Sequence, residues 1–149
     1  MYIDTVTIFN RYRSTLGDIW YPTVLKGVNL QIDKAAIIAK YGPESNDSAM
    51  LGIKYTLSDG KIMVGDKQYY LPTDWEYLPN DEHPDTITFR SGTNFDFFYA
   101  GEWKDEKPIS DNDFTNGFYD YMNSTYDNVF AISSVAKYSV IPHFEIMGR

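Results

Sequence analysis

Apolar and polar residues alternate along the first segment of the chain with the two-residue period of a β-strand. Within residues 4–12, Val6 and Ile8 fall on one face, and Thr7 and Phe9 fall on the other. A period of two is typical of a strand with one face turned towards a core. The pattern therefore predicts that the chain opens with a strand.

A second strand is predicted over residues 20–31, after a polar turn at residues 14–18. Pro22 lies near its start, and a proline has no amide hydrogen to donate, so it fits only a sheet edge or a strand entrance. Gly27 in the same segment indicates a β-bulge that bends the strand. We expect the first two strands to form a hairpin.

A meander of three strands follows in residues 50–71. Asp59 and Gly60 separate two apolar runs, and this pair supplies the positive φ angles that a tight type I′ hairpin turn needs. A second turn at residues 65–67 leads into the third strand. The preceding residues 35–41 fit either a short helix or a strand, of which we favour the strand, and residues 42–48 have the composition of a loop.

The second half of the chain contains the predicted helix. Ser110 offers an N-cap for it, and acidic residues follow in the first turn. The apolar residues then recur at helical spacing, namely Phe114, Phe118, Tyr121 and Met122. These features predict one α-helix near residues 111–123.

Further strands are predicted on both sides of that helix, at residues 95–100, 128–138 and 143–147. The short last strand is expected to pair with a strand that is distant in sequence. The count of strands predicts a mainly β fold, an antiparallel small barrel or a sandwich, built as a single domain over residues 1–149.

Charge is concentrated in one part of the chain. Residues 74–127 contain 13 Asp and Glu against 3 Lys and Arg, whereas the whole protein has a net charge of −8. We interpret residues 74–127 as an acidic elaboration of the β domain. An acidic chain is a poor general binder of nucleic acid, because such binding depends on Lys and Arg that neutralise phosphates.

The sequence contains no cysteine, so it predicts neither disulfides nor thiolate metal sites. No apolar run approaches the length of about 20 residues that spans a bilayer. The first residues also lack the basic and apolar regions of a signal peptide. We therefore expect a soluble protein that is made in a cytoplasm and has no membrane partner.

Candidate chemistry is sparse. His83 lies in an acidic run between prolines, which is typical of a solvated loop, and His143 lies in a predicted strand. Residues 111–122 resemble a calcium loop but place Gly117 at position seven and Met122 at position twelve, where position six and a glutamate are required. The sequence predicts no catalytic residue, no metal ligand and no cofactor, and we expect a protein that is not an enzyme.

A contact surface is the more plausible functional feature, and the candidate residues lie in the acidic segment: Trp103, Asp105, Glu106, Asp111 and Asp113. Aromatic rings beside Asp and Asn would also suit carbohydrate, because rings stack on sugar faces and carboxylates accept hydrogen bonds from hydroxyls. A β-sheet with exposed aromatic side chains accounts for the same composition.

Four stretches of the chain resemble a family. Thr7-Ile-Phe-Asn-Arg-Tyr12 and the segment at residues 20–28 resemble the opening of small structural proteins of tailed bacteriophages and of prophages of Gram-positive bacteria. Residues 132–136 and the terminal His-Phe-Glu-Ile-Met-Gly at 143–148 resemble the ending of the same proteins.

This resemblance implies a subunit of the virion neck, similar to head-tail connector, head-completion or stopper proteins. Such a subunit forms a homo-oligomeric ring between portal and tail, contacts other neck or tail proteins, and helps to retain or pass DNA without specific binding. Its location would be the virion, after assembly in the host cytoplasm. The alternative is a tail-associated domain that binds a carbohydrate or a receptor.

Overall fold

The computed structural model describes residues 1–33 and 49–149 of the chain. The strand favoured at residues 35–41 and the loop predicted at residues 42–48 lie outside these described residues.

The described residues form eleven strands and four helical segments. The strands are β1 (Asp4–Tyr12), β2 (Ile19–Ile32), β3 (Ala49–Lys54), β4 (Thr56–Ser58), β5 (Lys61–Val64), β6 (Lys67–Tyr69), β7 (Thr86–Ile87), β8 (Phe97–Tyr99), β9 (Ile109–Ser110), β10 (Val129–Tyr138) and β11 (His143–Gly148). The α-helices are α1 (Pro72–Glu76) and α2 (Phe118–Thr125), and 3-10 turns occur at Asn80–Asp85 and Asp111–Asp113.

Six of the described strands form a closed antiparallel barrel. Their order is β1-β8-β10-β11-β3-β2, and β2 pairs again with β1 to close the circle. The mainly β prediction is confirmed, and the architecture is a barrel, not a sandwich. The barrel strand β8 comes from the acidic segment at residues 74–127, so this segment contributes to the scaffold as well as to the surface.

Two features of the strand pairing follow the sequence pattern. β1 and β2 form the predicted hairpin, and its register shifts opposite Gly27, whose φ of +72° marks the expected bulge. The last strand, β11, pairs with β3, so the prediction of a partner distant in sequence is confirmed.

A second, smaller sheet packs against the barrel in the order β4-β5-β6-β7. The turn between β4 and β5 contains Asp59 and Gly60 at φ values of 53° and 77°, as its sequence predicts. Tyr69 and Phe89 from this part of the chain contact the ring of Phe144 in β11 at 4.7 and 5.0 Å between centroids. These contacts join the small sheet to the core of the barrel.

A second apolar cluster joins β1, β2 and β8 to α2. It contains Phe9, Trp20, Phe97, Phe118, Met122 and Val129, all of which are buried. Burial of aromatic side chains of this size contributes strongly to stability. The cluster therefore fixes α2 and the residues before it to the barrel.

The prediction of one α-helix near residues 111–123 is partly wrong. Residues Asp111–Asp113 form a 3-10 turn, and the α-helix covers only Phe118–Thr125. Gly117 adopts a φ of +92° immediately before the helix, a conformation that a helix interior does not allow. Ser110 makes no capping bond, and the carboxylate of Asp111 accepts the hydrogen bond from the Phe118 amide instead.

The segment around His83 also differs from its prediction. Asn80–Asp85 forms a 3-10 turn in which the His83 side chain is buried. Its ring lies 4.4 Å from both Tyr12 and Trp75, and its Nε2 donates to the Trp75 carbonyl oxygen at 2.9 Å. This histidine belongs to the core, and the solvated-loop interpretation of its side chain is wrong.

Candidate functional site

A cleft of about 1310 Å³ runs along β2. One side of the cleft is β2 itself at residues 22–28. Residues 64–67, at the turn between β5 and β6, and residues 102–108, in the loop before β9, form other parts of its wall. The cleft thus lies where the barrel, the small sheet and the acidic segment meet.

Charges of both signs surround this cleft in equal number. Its lysines are Lys26, Lys54, Lys67, Lys104 and Lys107, and its acids are Asp66, Asp85, Glu102, Asp105 and Glu106. Lys26 and Glu102 form an exposed ion pair at 3.3 Å. The balance disfavours a highly charged ligand such as nucleic acid and suits a neutral, polar one.

Lys67 is the most constrained of these cations. Its Nζ donates to the Thr23 hydroxyl at 2.7 Å and to the Pro22 carbonyl oxygen at 3.4 Å. Burial lowers the pKa of the Lys67 ammonium, and the nearby carboxylates of Glu106 and Asp85 oppose part of that change. The lysine therefore joins the turn before β6 to the backbone of β2.

The edge of β2 that faces the cleft is open. On the edge of β2 opposite β1, β9 pairs with β2 at Ile19 and Trp20, and β3 pairs with it from Asn29 onward. No strand of the described chain occupies the interval between them. The barrel wall thus contains a gap next to the middle of β2.

The position of Pro22 shows which residues face this gap. In an antiparallel strand the N–H and C=O groups of one residue point to the same side. Because the Pro22 carbonyl oxygen meets Lys67 away from β1, the backbone groups of Val24 and Lys26 also point into the cleft. Within the described residues these groups have no hydrogen-bonding partner in the protein.

The structure brings three of the five candidate residues to the cleft. Trp103, Asp105 and Glu106 line it, whereas Asp111 and Asp113 do not. Asp105 and Glu106 are exposed, and the Asp105 carboxylate accepts a hydrogen bond from the Lys107 amide at 3.0 Å. These two carboxylates are available for contact with a partner.

Trp103 is largely occupied by packing inside the protein. Its ring lies 5.4, 5.9 and 6.1 Å from those of Phe9, Phe118 and Tyr126. Its amide donates to the Thr7 hydroxyl at 3.0 Å, which anchors the acidic loop to β1. Its indole nitrogen is buried and has no partner within the described residues.

The two remaining candidates differ from each other. The Asp111 Oδ1 atom accepts hydrogen bonds from the Trp20 indole at 2.8 Å and from the Phe118 amide at 2.9 Å. Asp113 is exposed and takes part in the 3-10 turn alone. Asp111 is therefore a structural residue, and the prediction that it belongs to a contact surface has no support from its position.

A buried polar cluster joins the chain just before β8 to β1. The Asp96 carboxylate accepts hydrogen bonds from the amides of Arg11 and Arg90 at 2.8 and 2.9 Å, and from Asn10 Nδ2 at 2.9 Å. Burial raises the pKa of Asp96 to about 7, although these hydrogen bonds and the charge of Arg90 lower it.

Sequence reasoning missed Lys67 and the open edge of β2. Lys67 is one of several lysines spaced singly along strands and turns, and nothing in the sequence distinguishes it. Pro22 did carry a signal, because a proline inside a strand indicates an edge that lacks a partner.

Among the described residues, no three histidine, aspartate or glutamate side chains converge as a metal site would require. None of the described helices is both long enough and apolar enough to cross a membrane.

The comparisons with known proteins give one match. The model of a family of unknown function, DUF6751, matches residues 1–149. No curated protein and no solved structure matches the chain.

Proposed function

The chain belongs to the DUF6751 family, and we propose that it is a head-tail connector or stopper-like subunit of a phage neck. In this role copies of the chain form a ring between portal and tail. The ring helps to retain the packaged DNA or to let it pass.

The observation that carries this proposal is the open edge of β2 beside a charge-balanced cleft. A closed barrel satisfies its own backbone hydrogen bonds, so an unpaired stretch in its wall is suited to contact with another protein. The cleft adds exposed carboxylates and lysines at its rim, as the polar rim of a protein interface does. Both features favour assembly by contact.

The segments that resemble connector proteins belong to the strands of the barrel. The matching segments lie in β1, β2, β10 and β11, which are four of the six barrel strands. The exposed carboxylates of Asp105, Glu106 and Asp113 support the same role, because they would repel DNA phosphates and let DNA pass without adhesion. Alternatively, Asp105 and Glu106 would pair with a basic surface on a neck or tail protein.

Carbohydrate or receptor binding is a weaker candidate. Trp103 in the wall of the cleft is the observation that favours it, because an indole ring can stack on a sugar. That ring packs against three other aromatic rings, however, which leaves less of it for a ligand.

Neutralising the exposed acids tests the proposed function. In a phage or prophage that encodes this chain, D105N/E106Q/D113N is expected to reduce the titre about tenfold or more, because it removes charge that faces DNA or a partner. Electron microscopy of the lysate is expected to show separate heads and tails. Asp111 stays unchanged because it supports α2.

The matched control is D74N/D81N/E82Q, which makes the same change in net charge at exposed residues outside the cleft. It is expected to leave the titre close to that of the wild type. A wild-type titre for both variants would refute a role of the acidic surface in assembly, and binding of the purified protein to a cell-wall glycan array would favour the alternative.

A further inference from the structure

The chain before β9 lies next to a register that β9 has already set with β2. Ile109 of β9 pairs with Trp20 of β2, and two residues further along the chain the Asp111 amide donates to the Asp18 carbonyl oxygen at 2.9 Å. Both contacts belong to one antiparallel register, in which each residue back along this segment faces the next residue along β2. The residues before β9 can therefore be assigned positions along β2, although they are not paired with it.

That register places Lys107 opposite Pro22. The Asp111 amide faces β2, and alternate residues of a strand share this orientation, so the Lys107 amide would face β2 as well. Pro108 has no amide hydrogen, but its nitrogen would be turned away from β2, where none is needed. The sequence before β9 is thus compatible with a longer strand.

Residues 104–108, which we call the strap, are exposed and lie in no helix or strand. The strap is anchored at both ends. At one end it continues into β9, and at the other Trp103 packs against the ring of Phe9, and Glu102 forms its ion pair with Lys26. A segment held in this way stays close to the open edge of β2 without being bonded to it.

Two side chains occupy the groups that the longer strand would join. The Lys107 amide donates to the Asp105 carboxylate at 3.0 Å, and the Pro22 carbonyl oxygen accepts from the Lys67 ammonium at 3.4 Å. In the continued register the Lys107 amide would donate to the Pro22 carbonyl oxygen instead. A distance of 3.4 Å is long for a hydrogen bond. The change would therefore replace one weak and one exposed hydrogen bond with a bond between two strands.

The same change would give Lys67 an ionic partner. Its Nζ is bonded to the Thr23 hydroxyl and the Pro22 carbonyl oxygen, which are both neutral, and within the described chain it forms no ion pair. The carboxylates of Glu106 and Asp85 act on it from a longer distance. The register places Glu106 opposite Thr23, and opposite residues of neighbouring strands have side chains on the same face. Glu106 would thus lie beside the ammonium group.

We propose that the strap is a closing segment, in which residues 106–108 pair with β2, lengthen β9 and bring Glu106 to Lys67. The closed strap would cover the open edge of β2 next to Pro22 and narrow the cleft. This inference rests on the proposed function, because it makes the access of a neck or tail protein to that edge depend on the strap.

Disulfide formation between the strap and β2 tests the pairing, since the natural chain contains no cysteine. Residues joined by hydrogen bonds in antiparallel strands have Cα atoms about 5.5 Å apart, which suits a disulfide. In purified P22C/K107C, equilibration with glutathione is expected to give an effective thiol concentration about tenfold above that of P22C/K104C. The control has the same kinds of substitution, and Lys104 is an exposed strap residue that the register places opposite Leu25.

The effective concentration also tests the contact of Glu106 with Lys67. In the P22C/K107C protein, E106Q is expected to lower it about threefold, as the loss of a surface ion pair does. D66N is the matched control, because Asp66 is an exposed acid that lines the same cleft and lies outside the strap. It is expected to leave the value unchanged, and equal effects of the two substitutions would overturn the contact.

A variant without cysteine gives an independent test. D105A removes the acceptor that the Lys107 amide uses when the strap is open. If the strap pairs with β2, this amide keeps a partner. NMR is then expected to show that it exchanges with solvent at least about fivefold more slowly than the Glu106 amide, which the register turns away from β2.

Failure of this inference can be distinguished from failure of the proposed function. Equal effective concentrations in P22C/K107C and P22C/K104C, or equal exchange of the Lys107 and Glu106 amides in D105A, would overturn the strap. The connector role would still stand, because the phage titre tests it separately. Closure of the strap in the purified protein, together with a wild-type titre for D105N/E106Q/D113N, would support the strap and count against the connector.

Discussion

Replacing Asp96 with alanine is expected to lower the free energy of unfolding by about 3–5 kcal/mol, because the substitution removes a buried acid that accepts three hydrogen bonds. The Arg11 and Arg90 amides and the Asn10 amide group all donate to this carboxylate. A methyl group accepts none of these bonds, and Asp96 is 1% exposed, so water does not readily replace the lost acceptor.

Urea unfolding monitored by tryptophan fluorescence measures this change. Asp105→Ala is the matched control, since that carboxylate is exposed. The control is expected to stay within about 0.5 kcal/mol of the wild type. Equal stabilities of the two variants would show that the Asp96 cluster does not hold β1 to the chain before β8.

The same carboxyl group predicts a dependence of stability on pH. Burial raises the pKa of Asp96 from its ordinary value of 3.8 to about 7. Between these two values the folded chain binds the extra proton, so the free energy of unfolding falls as the pH rises through this window. The stabilisation by protonation is fully present below the lower value and is lost above the higher one.

Asp96→Asn isolates this effect because an amide does not titrate. The stability of the wild type minus that of the variant is expected to fall by up to about 4 kcal/mol between pH 4 and pH 8. A difference that stays constant over this range would mean that the three hydrogen bonds keep the carboxylate ionised at ordinary pH.

The second large effect is expected at Asp111. Its replacement by alanine removes the acceptor for the Trp20 indole and for the amide of Phe118, the first residue of α2. We expect a loss of about 2 kcal/mol in the free energy of unfolding, as for the removal of a helix cap together with a partly buried hydrogen bond.

Asp113→Ala provides the comparison, because Asp113 is an exposed acid two residues away. It is expected to change the stability by less than about 0.5 kcal/mol. Thermal unfolding of both variants checks the pair. If Asp113→Ala proved the more harmful substitution, our division of the acidic candidates into one structural and one surface residue would be wrong.

Local pattern was sufficient for the strands of the barrel and insufficient for the helix. β1 follows from the alternation around Val6 and Ile8, and the turn at Asp59 follows from turn chemistry. The position of α2 depends instead on a contact with Asp111, seven residues before the helix in sequence. The helical spacing of apolar residues depends only on the local sequence, so it does not indicate such a contact.

The candidate site was predictable only in part, for the same physical reason. Asp105 and Glu106 lie in an acidic run whose exposure the composition indicates. Lys67 and Val24 belong to the cleft because separate elements meet there, which no local pattern reports. The buried position of His83 likewise results from packing against Trp75 and Tyr12, and its polar neighbours in sequence concealed it.

The connectivity of the barrel has a consequence for its synthesis. Thr7 in β1 pairs with Tyr99 in β8, and Ala49 in β3 pairs with Gly148 in β11. Pairings across so many residues have a high contact order and form slowly. During translation the hairpin of β1 and β2 can form early, but the edge of β3 stays unpaired until β11 has left the ribosome. A nascent chain halted before that point would be sensitive to aggregation.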